Sequence, residues 1–452
     1  MEEERQKETI DILNGSLIKN ILLFVWPLML SNILQITFQF ADTLVVGNFA
    51  SKQGLAAVGT TAPITVFFMW GLNGLSMGAN VLVSRLIGAR KHEGIKKAVF
   101  SGVFIGLVAG TAVSLFGVLF ASMMLKWQST PADIMKDATL YLRIYFLCGA
   151  AIGIFDFGSS VLRASGDTRN PTVYLAVSGA LNVMLNLLFV VVFRLNVAGV
   201  AIATVISQYF GAFLILKKLL KNNSIVSLEI DRENYDSEMA GKILAYGIPS
   251  ALQNQLFSFS NMIVQSSINS FGSTFVAANT AACAIEEYVY VFVDAFPQAS
   301  LTFTSQMYGA GQYKKIRKLI IESVLMGSIG AFAIGLFILL NGNTLLGLLS
   351  DESEVIRLGM IRLRCVTLFL FLNGALDVVV NSIRGMGLSN LPTIITLFGV
   401  CGFRLAYIFT YFSTHHTPQV LYLCFPLSWT ITLSAQLILW IVVYNRILSG
   451  NE

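Results

Sequence analysis

Charge is the scarcest thing in this sequence. Only 12% of its 452 residues are Asp, Glu, Lys or Arg, about half the share typical of a soluble domain. So little charge cannot cover a water-facing surface of normal size, which excludes a soluble globular protein. Cysteine is scarce as well. Cys148, Cys283, Cys365, Cys401 and Cys424 all fall inside hydrophobic stretches. They show neither metal-ligand spacing nor a disulfide framework, and they read as small apolar packing residues. A Walker loop, a nucleophile–base arrangement and a Gly-rich nucleotide fingerprint are absent too, so neither an enzyme nor a cofactor is expected. The net charge of +5 is too small to argue for nucleic acid. Met1–Lys7 is acidic and polar and leads into a long apolar span without a cleavage-like site, so no removable signal peptide is expected.

Hydrophobic residues, by contrast, make up 55% of the chain. A membrane-crossing helix needs about 20 mostly apolar residues. That ruler marks twelve spans, at 17–46, 55–84, 97–125, 138–162, 172–193, 197–220, 240–269, 275–305, 319–345, 359–383, 392–412 and 419–445. The expected fold is an all-α polytopic membrane protein with twelve transmembrane helices. Loop charge orients them. With the N-terminus inside, 21 of the 30 Lys and Arg residues collect on the inner side. The positive-inside rule then puts both termini in the cytoplasm of a cell (plasma or inner) membrane protein. Lys221–Met239, rich in Asn, Ser, Asp and Glu, reads as a solvated cytoplasmic tether between a lobe of residues 1–220 and a lobe of 240–452.

The two halves match each other at an offset of 221 residues: Ser84, Gly88, Ala89, Ile95 and Lys97 correspond to Ser305, Gly309, Ala310, Ile316 and Lys318. Asp156, Arg163, Gly166, Pro171 and Thr172 correspond to Asp377, Arg384, Gly387, Pro392 and Thr393. Pro27 and Asn32 meet Pro249 and Asn254 at 222. Six spans per half is an even number, so both halves enter the membrane the same way and the repeat is parallel. Parallel repeats are a transporter architecture, with the substrate route between the halves. A channel has no need of two rocking bundles, and no filter-like loop is present. Asp156 and Arg163 are seven apart, about 10 Å along a helix axis, too far to pair directly, and Asp377 and Arg384 repeat the arrangement. These four residues are read either as ties between neighbouring helices or as an inner gate.

One residue stands out within the first span. Asp42 is a carboxylate in hydrocarbon, costing roughly 3 to 10 kcal/mol unless it faces water or a polar partner. Around it the residues resemble a known family, the multidrug and toxic compound extrusion (MATE) antiporters. The resemblance rests on Pro27, Asp42 and Val46-Gly47 with Leu55-Ala56-Ala57-Val58-Gly59, and on the Gly-Ala loops at Gly88 and Gly309. It extends through Leu162-Arg163, Gly166 and Asn170-Pro171-Thr172, Gly199–Thr204, and Tyr246-Gly247-Ile248-Pro249. It implies two six-helix lobes around a central cavity, and export of amphipathic, often cationic small molecules against inward Na⁺ or H⁺. A monomer in contact with membrane lipid is expected. A lipid-linked precursor flippase of the same wider superfamily is the runner-up, and a non-transporting receptor or scaffold a more distant alternative.

The resemblance implies a cation site at Asp42, Asn182, Asn186 and Thr204, with Asp42 the metal ligand if the ion is Na⁺. Asn186 stands where the family has an Asp, which leaves one carboxylate. A C-lobe pattern of some members is missing, since Phe257 and Asn373 stand near its acids. The span directions place Asp42, Asn186 and Thr204 within about 6–10 Å of the outer boundary, with Asn182 one turn deeper. Oxygen ligands with one carboxylate suit Na⁺ or H⁺; the same side chains also serve as hydrogen bonds between helices. The repeat partners are Val264 or Ile263, Phe403, Tyr407 and Phe425, so the polar cluster belongs to one lobe. In span eight Glu286, Asp294 and Tyr288 are candidates to meet a cationic substrate. Salt bridges from these acids to Arg143 or Arg404 are the structural alternative. Arg404 is expected to pair with an acid, and Pro27 is a candidate bend point.

Overall fold

A computed structural model describes residues 10–49, 52–221, 225–231 and 234–450. Their regular structure is helical. The first half holds α1 (Leu17–Phe49), α2 (Lys52–Gly88), α3 (His92–Trp127), α4 (Met135–Phe146), α5 (Gly149–Ala164), α6 (Arg169–Asn186) and α7 (Asn196–Leu219). The second holds α8 (Ser237–Asn269), α9 (Ser273–Gly309), α10 (Tyr313–Leu340), the short α11 (Gly342–Gly347), α12 (Ser353–Cys365), α13 (Leu370–Gly385), α14 (Asn390–Thr396), α15 (Phe403–Tyr407) and α16 (Pro418–Leu448). Ten of the helical segments are long and apolar enough to cross a membrane, and α4 with α5 makes an eleventh, bent by 44°. The twelfth is α8, also 33 residues long, whose Ser, Gln and Asn content lowers its hydropathy. The twelve-span expectation is met.

The chain forms two compact units. Unit 1 holds residues up to Asp11 and Leu30–Ala251; unit 2 holds Ile12–Met29 and Leu252–Glu452. Helix α1 therefore divides after Met29, and α8 divides after Ala251. Each division falls two residues beyond a proline inside the helix, Pro27 or Pro249. Proline lacks an N–H and crowds the carbonyl four residues earlier, so these are the places where each helix is least tied to its own ladder. Chain order and compactness are thus two different divisions of this molecule, with residues 12–29 and 240–251 exchanged.

Backbone approach through glycine holds the helices of unit 1 together. A Cβ on Gly247 would fall on the Leu75 carbonyl, and one on Gly106 would lie 2.6 Å from the Gly153 carbonyl oxygen. Small residues at such crossings substitute for the hydrophobic driving force that lipid removes. One core of this unit gathers Val45, Val46, Ala57, Tyr141, Phe146, Val190, Val197 and Val200, holding together the C-terminal end of α1, the segment that follows α6 and the N-terminal end of α7. In unit 2, Phe24 meets Phe303 edge to face at 5.3 Å.

The repeated turns have a backbone reason. Gly166 and Gly387 sit at φ +88° and +93°, the left-handed region that glycine enters without penalty. Asp167 then caps α6 through the backbone N–H of Asn170 at 3.0 Å. The linker, expected as a solvated tether, is instead packed down where it is described. Val226 and Leu228 are buried in the core with Ile95, Val99 and Leu219. Lys96 pairs with Glu229 at 2.8 Å and Lys97 with Asp236 at 3.6 Å.

Candidate functional site

Unit 1 brings the four predicted cation-site residues into one network. Asp42 comes from the C-terminal half of α1, and Asn182 and Asn186 from one face of the last turns of α6. Thr204 comes from the third turn of α7. A π-helical segment, Leu187–Val192, follows directly after Asn186, a feature that often accompanies functional positions. Asn186 Nδ2 donates to Asp42 Oδ1 at 2.6 Å and to Asn182 Oδ1 at 3.2 Å. Asn182 Nδ2 lies 3.4 Å from Thr204 Oγ1, and Thr204 in turn donates to the Val200 carbonyl at 3.0 Å.

The Asn182 amide also lies within hydrogen-bond distance of the carboxylate: with its oxygen and nitrogen exchanged, the nitrogen donates to Asp42 Oδ1 at 2.8 Å. Asn186 is fully buried, yet its Oδ1 accepts no hydrogen bond among the described residues. A buried amide oxygen left empty is unusual and marks room for a proton donor or an ion. The oxygens of Asp42, Asn182, Asn186 and Thr204 suit a hard monovalent cation. Among the described residues no group of three His, Cys, Asp or Glu converges anywhere, so Asp42 supplies the sole carboxylate of this cluster.

In unit 2 the acids of α9 separate. Glu286 is 2% exposed and its Oε2 accepts from Arg362 Nη2 at 2.7 Å and Nε at 3.1 Å. Thr367 Oγ1 donates to Glu286 Oε1 at 2.8 Å. Arg362 Nη1 donates to Asn279 Oδ1 at 2.8 Å, which also accepts from Tyr422 Oη at 2.9 Å. Glu286 is therefore held inside unit 2 by a partner that sequence spacing did not reveal; neither Arg143 nor Arg404 fills that role. Arg362 lies in the polar stretch Arg357–Arg364, which reads in sequence as the edge of a span. Glu287, Tyr288 and Asp294 are exposed on α9. Glu287 and Asp294 are seven apart, on one face.

The expected acid partner of Arg404 is also absent. Among the described residues no carboxylate lies within the 4.0 Å ion-pair distance of its guanidinium, which instead donates to Ser428 Oγ at 3.1 Å and Asn261 Oδ1 at 3.2 Å. At the Gly387 turn Asp377 and Arg384 form no ion pair with each other among the described residues, in keeping with their seven-residue spacing. Arg384 donates to Gln253 Oε1 at 2.8 Å and to Thr393 Oγ1 at 3.4 Å, and Asn373 donates to Asp377 at 3.3 Å. In unit 2 this set ties helices together.

Comparison with known proteins adds a family. The family model MatE matches residues 27–188 and again 249–410, the two matches beginning at Pro27 and Pro249. The chain is 29% identical over 386 residues to a probable multidrug resistance protein, YpnP, of Bacillus subtilis, covering 83% of this chain and 84% of that protein. It is 23% identical over 411 residues to the probable multidrug resistance protein NorM of Thermotoga maritima, covering 89% and 86%. The fold is similar to the outward-facing conformation of a multidrug resistance MATE family transporter of the MOP superfamily. There the TM-score is 0.90 at 20% identity, over 98% of this chain and 99% of that one. A MOP superfamily transporter from Pyrococcus furiosus, described by the reverse polarity of its binding pocket, gives 0.89 at 20% identity over 97% and 98%.

Proposed function

The chain belongs to the MatE family, and from that premise we propose that it is a cation-coupled antiporter exporting amphipathic, often cationic compounds by alternating access. Members of this family are multi-pass, ion-coupled membrane transporters of small molecules; they are not enzymes and need no cofactor. The finer reading belongs to Asp42. Its carboxylate is the one charge in the N-lobe cluster, held by the Asn186 amide. A proton or Na⁺ arriving at Asp42 would meet beside it the Asn186 Oδ1, which accepts no hydrogen bond among the described residues. For Na⁺, the four side-chain oxygens would form the shell.

Cation arrival thus changes the contacts of α1 beyond Pro27, where the helix passes from one compact unit to the other. Neutralising Asp42 and re-seating that segment would drive release of substrate outward. The exposed acids Glu287 and Asp294, with Tyr288 beside them, support a cationic cargo, because charged side chains in a membrane span avoid lipid and border a water-filled route. Both termini on the cytoplasmic side, a monomer, and a plasma or inner membrane location complete the reading, on the strength of the inner-side Lys and Arg.

The observation that carries it is the fully buried Asn186, whose nitrogen donates to Asp42 while its oxygen accepts no hydrogen bond among the described residues. The test is efflux of a fluorescent cationic dye from proteoliposomes, under an imposed Na⁺ gradient and then an imposed pH gradient. Gradient-driven, saturable efflux under one or both is expected. Efflux indifferent to either gradient contradicts coupling.

A further inference from the structure

Unit 2 contains a buried excess of positive charge. Arg362 and Arg404 are 8% and 4% exposed, and Glu286 is 2% exposed. Glu286 is fully engaged by Arg362 and Thr367. No second carboxylate lies within ion-pair distance of either guanidinium among the described residues. Both cations also share one ring, with Arg362 Cζ 5.5 Å and Arg404 Cζ 4.4 Å from the Phe425 centroid. Trp429 adds a second aromatic face to Arg404 at 5.8 Å. Aromatic faces and two neutral oxygens attract a guanidinium but do not neutralise it, and an uncompensated buried charge is strongly unfavourable.

The hydrogen bonds of Arg404 leave one edge open. Nε is taken by Ser428 Oγ, itself a donor to the Phe425 carbonyl at 2.8 Å. Nη1 gives one proton to Asn261 Oδ1. Nη2 donates to nothing among the described residues, so the Nη1–Nη2 fork is free, and the planar two-donor fork is the geometry that a carboxylate matches. Asn261 is exposed, so the fork lies under an accessible rim.

The repeat sharpens this. Arg404 corresponds to Val183, beside Asn182; Phe425 corresponds to Thr204, and Ser428 to Ser207. Asn261 is on α8, the counterpart of the α1 that carries Asp42. The helices that gather a lone carboxylate and neutral oxygens in unit 1 therefore have counterparts in unit 2 that gather a lone guanidinium. A second π-helical segment, Leu397–Gly402, ends two residues before Arg404, whereas its counterpart at 176–181 is α-helical.

We propose that Arg404 anchors an anion site in unit 2, which takes one carboxylate-class monoanion on its free Nη1–Nη2 edge between Asn261 and the aromatic pair Phe425 and Trp429. The anion is either free in solution or the carboxylate of a zwitterionic substrate. The site does not depend on cation coupling, and its test reads binding without transport.

The test is equilibrium dialysis of radiolabelled benzoate with the purified full-length protein at constant ionic strength, with chloride and a carboxylated zwitterionic dye as competitors. The wild type is expected to bind about one benzoate per chain. Arg404→Gln should weaken that binding roughly tenfold or more, and Arg404→Lys should do so partially, since an ammonium keeps charge but not the fork. Displacement by chloride assigns the site to free monoanions. Displacement by the dye but not by its methyl ester assigns it to substrate carboxylates. Asn261→Asp provides an arm that does not remove the arginine. It places a resident carboxylate on Arg404, and it should abolish benzoate binding while raising the thermal midpoint in anion-poor buffer by a few degrees. No saturable benzoate binding by the wild type, or equal binding by Arg404→Gln or Asn261→Asp, overturns the proposal.

Discussion

The two halves of this protein descend from one pattern and have been given opposite electrostatics. Around the ends of α1, α6 and α7, unit 1 keeps one carboxylate among amides and a hydroxyl, with an amide oxygen left empty. Around α8, α15 and α16, unit 2 keeps arginines among aromatic rings, one of them locked to Glu286. Scaffold features repeat faithfully: Pro27 with Pro249, Gly166 with Gly387, Asp156–Arg163 with Asp377–Arg384. The polar centres do not. Scaffold positions answer to packing, which is the same problem in both halves, whereas a coupling site needs to exist only once.

That contrast can be broken most severely at Arg362. Arg362→Ala leaves Glu286 buried without its partner and should destabilise the protein by about 3–5 kcal/mol, visible as a large drop in the thermal midpoint of purified protein. A change within error would mean that the unit 2 pair is not structural. Next comes the shared scaffold. Gly166→Ala forces a side chain into the left-handed region, and its Cβ would lie 2.7 Å from the Ile10 carbonyl oxygen. A loss of about 1–2 kcal/mol is expected, and Gly387→Ala should behave alike on backbone grounds; denaturant titration reads both.

A milder change should sharpen the difference between the units. Asn186→Asp adds a second acid to the Asp42 cluster, and more ligand charge tightens cation binding. Dye efflux should then reach half-maximal rate at about tenfold lower cation concentration, and an unchanged concentration dependence would place the ion elsewhere. The smallest effect is at the linker. The Asp236 carboxyl sits below its ordinary value of 3.8, chiefly because the backbone N–H of Met239 donates to it, with Glu238 N–H and Lys97 adding. A depressed carboxyl stabilises the fold above its ordinary value and loses that contribution as pH falls through the lower folded one. Asp236→Asn should flatten the stability profile of unit 1 slightly in that acid window and leave neutral pH unchanged.

Much of this was legible in the sequence because it depends on composition and order. Hydrophobic length marks the twelve spans, and the 221-residue offset marks the repeat. Span direction puts Asp42, Asn186 and Thr204 at one depth, and the structure joins them. What escaped depends on which helix faces which. Arg362 and Glu286 are 76 positions apart, a separation with no periodic signature. Arg404 was expected to find an acid, because charge balance is ordinarily local; it is met by rings and neutral oxygens instead. Val226 and Leu228 are too few to show a pattern, yet they seat the linker. The exchange of 12–29 and 240–251 between the compact units is a matter of contact alone.

The central claim is that the cation switch resides at Asp42 and nowhere else. Dye efflux driven by the coupling gradient in proteoliposomes of Asp42→Asn, set beside wild type at equal protein incorporation, tests it most directly. The account predicts that the variant still binds dye but that its gradient-driven efflux falls to the passive leak. Efflux at the wild-type rate, with the same gradient dependence, would contradict it.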